Sequence, residues 1–157
     1  MPTQSARVYG TDTIGYSSTQ VNSLIKKYGS KQVISVVPHW NGGGGNYHWT
    51  MVDKASNGVR RDSMKLAECM KNEFSKIQES YKNTDLYPMF KGGCRIENEE
   101  EKTTDWAPQV NCACVLTENW FPDCKSVNNP KEWFNGIGIE LIAKAHADAI
   151  RRYVQDL

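Results

Sequence analysis

Two residues are placed where a side chain can do chemistry. His39 follows an apolar run in "QVISVVPHWNGGGG" (32–45), and Glu118 closes another in "ACVLTEN" (113–119). A carboxylate at the end of an apolar run is costly to desolvate unless it meets a metal, a cation or water. For His39 and the glycines behind it, three readings stand side by side. The loop amides could cradle a phosphate, but a P-loop needs a Lys-Ser/Thr pair opening a helix, and this loop continues "NYHW". The glycines could simply make tight turns and leave His39 exposed and idle. Or His39 is a metal ligand beside an open cleft, since imidazole is the commonest neutral ligand of zinc and a catalytic zinc takes three protein ligands plus water.

The five cysteines, Cys69, Cys94, Cys112, Cys114 and Cys124, are odd in number and contain no CxxC pair. With no export signal they read as free thiols rather than a disulfide framework, and as small buried residues rather than a zinc knuckle.

The elements that must position the two residues follow from periodicity. Ser17 and Ser18 cap a helix with Val21, Leu24, Ile25 and Tyr28 on one side and Gly29 as its stop. A strand near 32–37 is apolar on both faces, as in a sheet covered by helices, and "NYHWTMVD" (46–53) suits a further strand. Leu66, Met70, Phe74, Ile77 and Tyr81 mark an amphipathic helix over about 61–82. Residues 83–111 are loop-rich, and a second doubly apolar strand covers 112–118. Pro130 opens a short helix in "NNPKEWFNG", and the last helix, 137–155, carries Ile139, Ile142, His146, Ile150, Tyr153 and Leu157 on one stripe, which makes His146 a core histidine. This order predicts an α/β fold, a mainly parallel sheet flanked by helices on both faces. Chemistry in such sheets gathers at the carboxyl ends of the strands. Alternation puts Cys112, Cys114, Leu116 and Glu118 on one face, so His39 and Glu118 are expected to face one cleft.

The bulk numbers narrow the function. A chain of 157 residues fits a single domain, 1–157, with room for a core. A net charge of +1 with 24% charged residues gives no nucleic-acid patch, and clusters such as "ENEEE" (97–101) read as solvated loops. No run reaches the roughly 18 apolar residues of a membrane span. The first twenty residues lack a basic start and an apolar core, so no signal peptide is expected and synthesis is expected in the cytoplasm.

Several stretches, taken together, resemble the zinc-dependent N-acetylmuramoyl-L-alanine amidases of the amidase-3 type. "VISVVPHWNGG" is similar to their "SIH-x-N" stretch, and "CACVLTENWFPD" to their "PAVLTEN-F" strand and following turn. "DSMKLAECMKNEF" is similar to their "S-x-x-LA" helix, "SSTQVNSLIKKYGSKQ" to the helix leading into the histidine strand, and "GIGIELIAKAHADAIRRYV" to their terminal helix. The resemblance covers nearly the whole chain, and order and spacing make it more specific than any one motif. It implies that His39 is a zinc ligand and Glu118 the general acid and base. It also implies that peptidoglycan is the substrate, cut at the amide between N-acetylmuramic acid and the L-alanine of the stem peptide. Trp40 and Asn41 would shape the cleft.

The chain departs from the pattern in one respect. The family's opening strand with a "GHGG"-like turn, and the glutamate ligand on the next helix, have no counterpart here, so two of three zinc ligands are missing and the fold is expected to be an N-terminally truncated one. His48 lies in the neighbouring loop region but matches no ligand position. Two outcomes follow: a second polypeptide supplies the missing strand and ligands, or the chain is a catalytically inactive amidase-like cell-wall binding or assembly protein. A phage-encoded lysis protein (an endolysin) is the setting the resemblance suggests for a wall amidase without a signal.

Overall fold

The computed structural model describes residues 14–52, 58–98 and 110–157. The elements run α1 (Ile14–Tyr28), β1 (Ile34–His39), β2 (His48–Val52), α2 (Gly58–Ser80), β3 (Cys94–Asn98), β4 (Ala113–Glu118), α3 (Pro130–Asn135) and α4 (Ile137–Gln155). The four strands form one sheet in the order β1-β4-β2-β3. β1 pairs with β4 and β2 with β3 in parallel, whereas β2 runs antiparallel to β4. The α/β, mainly parallel architecture is the expected one.

Helices cover both faces, as two doubly apolar strands require. On one face Leu66, Met70 and Phe74 of α2 and Ile142, Ala145, Ala149 and Tyr153 of α4 pack with Ala113, Val115 and Val52 in the main core. On the other, Val21 and Ile25 of α1 lie against Val110, Cys112, Cys114, Val33 and Val37. Every residue of β4 from Ala113 to Thr117 is buried, which is why its sequence shows no polar face. None of the five cysteines forms a disulfide, and all but the half-buried Cys94 are buried. Desolvation pushes the thiols of Cys94 and Cys112 up to about 11.

Three local expectations differ. The stretch read as loop-rich contains β3, a strand with only Cys94 and Ile96 facing the core cluster. In α4 the buried line passes through Gly138, Ile142, Ala145, Ala149 and Tyr153, while Ile139 and Leu157 are exposed. Small residues win there because α4 approaches its neighbours closely: a Cβ on Gly138 would meet the Trp133 ring at 2.4 Å. The first helix, expected to be capped by Ser17 and Ser18, begins earlier, at Ile14, so both serines lie within α1, whereas the short helix starts at Pro130 as expected, after a left-handed Asn129. Among the described residues, no helix is long and apolar enough to cross a membrane.

Candidate functional site

His39 and Glu118 are the last residues of β1 and β4, and they are register partners across that parallel pair. Partners in register project to the same face, the one on which α1 packs. His39 Nδ1 lies 4.0 Å from Glu118 Oε1; the imidazole is 55% exposed and the carboxyl group 19%. Desolvation raises the Glu118 pKa, and the nearby His39 pulls it partly back. The other oxygen, Oε2, is buried with no hydrogen-bond partner among the described residues. A half-desolvated carboxyl with a spare oxygen is suited to exchanging a proton with a bound water.

The strand ends are tied together beyond the ladder. Asn119 donates both its backbone N–H, at 2.8 Å, and its side-chain amide, at 2.9 Å, to the carbonyl of His39. Asn41 N–H donates to the carbonyl of Trp120 at 2.9 Å. Trp120 holds φ 51°, a conformation uncommon for a bulky residue, and thereby turns the chain and sinks its indole fully into the core.

Behind the site runs a polar chain through the sheet. His146 Nδ1 sits 2.8 Å from the Ile142 carbonyl, which can only accept, so this nitrogen carries the proton. Nε2 of the neutral ring then accepts from the Thr117 hydroxyl at 2.8 Å. The Thr117 oxygen in turn accepts from the Asn119 amide at 3.3 Å. His146 is thus a core histidine, as its position on the apolar stripe implies, and it also braces the backbone that carries His39.

The glycine loop has a structural use. Gly43 and Gly44, both at positive φ, donate their amides to the two oxygens of Asp123, at 3.0 and 3.1 Å. Those amides are occupied by the protein's own carboxylate, which removes the basis for a phosphate cradle. Gly45 must lack a Cβ because one would meet the Phe121 ring at 2.6 Å. The loop is therefore clamped onto the turn after β4, leaving His39 free at its edge. Trp40 is 47% exposed on the rim, edge-on to Phe134 at 4.9 Å.

His48 does not join the site. It is fully buried on the opposite face, stacked on Phe74 at 3.9 Å. Among the described residues, no group of three or more His, Cys, Asp or Glu side chains is placed to hold a metal ion. Sequence reasoning missed Trp49, which opposes Glu118 across the antiparallel pair. Its indole nitrogen is buried without a partner among the described residues. Only the register reveals that neighbour.

The sequence matches no protein-family model and no curated protein. Among solved structures, the chain is similar to the N-acetylmuramyl-L-alanine amidase Ami1 from Mycobacterium smegmatis. The two are 13% identical with a TM-score of 0.55, over 92% of this chain and 76% of that one. The likeness at that identity is one of fold: an α/β sheet with helices on both faces, shared with a muramyl-alanine amidase.

Proposed function

We propose that this chain is a peptidoglycan hydrolase of the N-acetylmuramoyl-L-alanine amidase type, acting on the amide between N-acetylmuramic acid and the L-alanine of the stem peptide. The observation that carries the reading is the His39–Glu118 pair, 4.0 Å apart at the carboxyl ends of two parallel neighbours. The fold shared with a muramyl-alanine amidase supports it. In this reading Glu118 takes a proton from the attacking water as the water oxygen bonds to the scissile carbonyl carbon. It then returns that proton to the departing alanine nitrogen as the C–N bond breaks. Its raised pKa suits both halves of the exchange. His39 stands beside the carboxylate and, when protonated, steadies its charge.

Zinc is the metal the resemblance implies, and when bound it would polarise the carbonyl and acidify the water. His39 is one donor where a catalytic zinc takes three; even with Glu118, which the proton transfers occupy, the described residues offer no third. By themselves they do not fit a catalytic zinc, so the proton transfers above are assigned to the side chains alone. The donor count also favours a second reading, an amidase-fold domain that binds the cell wall without cutting it.

One assay separates the two. Purified peptidoglycan is incubated with the chain, with and without added zinc or chelator, and free L-alanine N-termini are counted. Release that falls at least about a hundredfold in Glu118→Gln supports the hydrolase, that being the usual scale of general acid–base catalysis. Sedimentation with peptidoglycan but no release leaves the binding domain. Neither binding nor release ends both readings.

A further inference from the structure

The site does not stop at two residues. His39 is the register partner of Glu118, Glu118 of Trp49, and Trp49 of Arg95. One residue from each strand therefore forms a row across the whole sheet on one face: imidazole, carboxyl, indole, guanidinium. Neighbouring strands lie about 4.8 Å apart, so Arg95 starts about 10 Å from Glu118.

The far half of the row carries unused binding capacity. The Trp49 indole N–H is buried with no acceptor among the described residues, and such a donor costs stability unless something satisfies it. The exposed Arg95 guanidinium lies over the Tyr47 ring at 5.5 Å, and Tyr47 stacks on Trp49 at 4.4 Å, so its stem is directed. Among the described residues no carboxylate pairs with Arg95. Glu97, on the same face of β3, stands one pleat further on, opposite Met51.

We propose that Trp49 and Arg95 form a subsite for the peptide on the leaving side of the scissile amide, and that its occupant is a peptide bearing a free carboxylate close to that amide. The inference rests on the reading of Glu118 as the group at the scissile bond. The indole donates to a peptide carbonyl, and the guanidinium takes the carboxylate in a two-pronged pair. An extended peptide advances about 3.3–3.6 Å per residue, so a carboxylate one or two residues past the bond lies within reach of the Arg95 side chain. Charge complementarity selects this occupant: a cation at the end of the row pairs with no carboxylate among the described residues, and the peptide brings an anion.

The test uses N-acetylmuramoyl-L-alanyl-D-glutamate and its uncharged diamide, titrated calorimetrically into Glu118→Gln protein so that neither probe is cut. The acid is expected to bind about tenfold more tightly than the diamide, the scale of one charge-assisted pair. Arg95→Gln should erase that preference while leaving diamide affinity in place, and Arg95→Lys should keep part of it. Trp49→Phe, which retains a ring and loses the N–H, should weaken both probes alike. Circular dichroism checks that each variant is folded, and Arg95→Lys carries the test if Arg95→Gln is not. Equal affinities for acid and diamide overturn the subsite and leave the amidase reading standing. A preference that survives Arg95→Gln also overturns it. L-Alanyl-D-glutamate without the sugar is the last arm: if it binds as tightly as the muramoyl acid, with the same dependence on Arg95, the subsite stands and the muramoyl specificity falls. Binding of no probe overturns the subsite, and the peptide-release assay then decides the amidase reading separately.

Discussion

The Thr117 hydroxyl and His146 Nε2 meet at 2.8 Å, joining helix α4 to the last strand position before Glu118. Thr117 is fully buried, so its hydroxyl has no water to fall back on. Thr117→Val keeps the shape and removes the hydroxyl, stranding the His146 nitrogen and one arm of Asn119. Urea unfolding should show a loss of about 1–3 kcal/mol, the usual cost of a buried group left unpaired. Thr117→Ser should recover most of it.

Two histidines, the buried His48 and the partly buried His146, make the fold sensitive to acid. Desolvation of the charged form lowers the pKa of His146, against a smaller opposing effect of the Ile142 carbonyl, and lowers that of His48 well below 6.5, with the nearby His146 adding to it. A depressed histidine pKa means that the unfolded chain binds more protons, so stability rises with pH in this range. The contribution is complete above about 6.5 and is lost as pH falls from there towards the folded-state values. Urea midpoints should drop between pH 7.5 and 5.5, and the drop should shrink in His146→Gln. A midpoint that is flat with pH in the unaltered chain would contradict this.

Glu118 should show a function that costs stability. Desolvation disfavours the charged form of its carboxyl, whose Oε2 has no partner among the described residues. Glu118→Gln removes that charge and should unfold at an equal or higher urea concentration at pH 7.5 while losing peptide release. A raised acid pKa favours the folded state at low pH and loses that advantage as pH rises through it. The gap between variant and parent should therefore close as pH approaches 4.5, the ordinary glutamate value.

Gly45→Ala tests the packing of the loop. The added methyl would lie 2.6 Å from the Phe121 ring, itself buried in the main core and edge-on to Tyr47. Overpacking of this kind costs about 1–3 kcal/mol. Gly42→Ala, where a Cβ meets nothing within 4 Å, is the control and should be near neutral in thermal unfolding.

The legible parts of the fold were those written in periodicity. The 3.6-residue stripe of α2 and the unbroken apolar run of β4 announce themselves locally, and the strand ends follow from them, which is how His39 and Glu118 could be paired eighty residues apart. β3 was hidden because "CRIEN" is short, half charged and set behind two glycines; it becomes a strand only because β2 offers it a ladder. The antiparallel placing of β2 between β4 and β3 is likewise a matter of pairing, and the row from His39 to Arg95 exists only once that pairing is known. The left-handed turn at Trp120 had no sequence signal, since tertiary burial of a tryptophan outweighed a backbone preference that favours glycine.

The hold of Asp123 on Gly43 and Gly44 makes the loop a receptor with a tethered ligand. Tethering gives a group an effective concentration in the millimolar range or above, so a dissolved anion at micromolar levels competes poorly for those amides. The same amides hold the Asp123 pKa below its ordinary value, so they favour the charged form of the tether. Replacing Asp123 would remove this clamp on the loop beside His39, whereas a passing phosphate competes poorly with it.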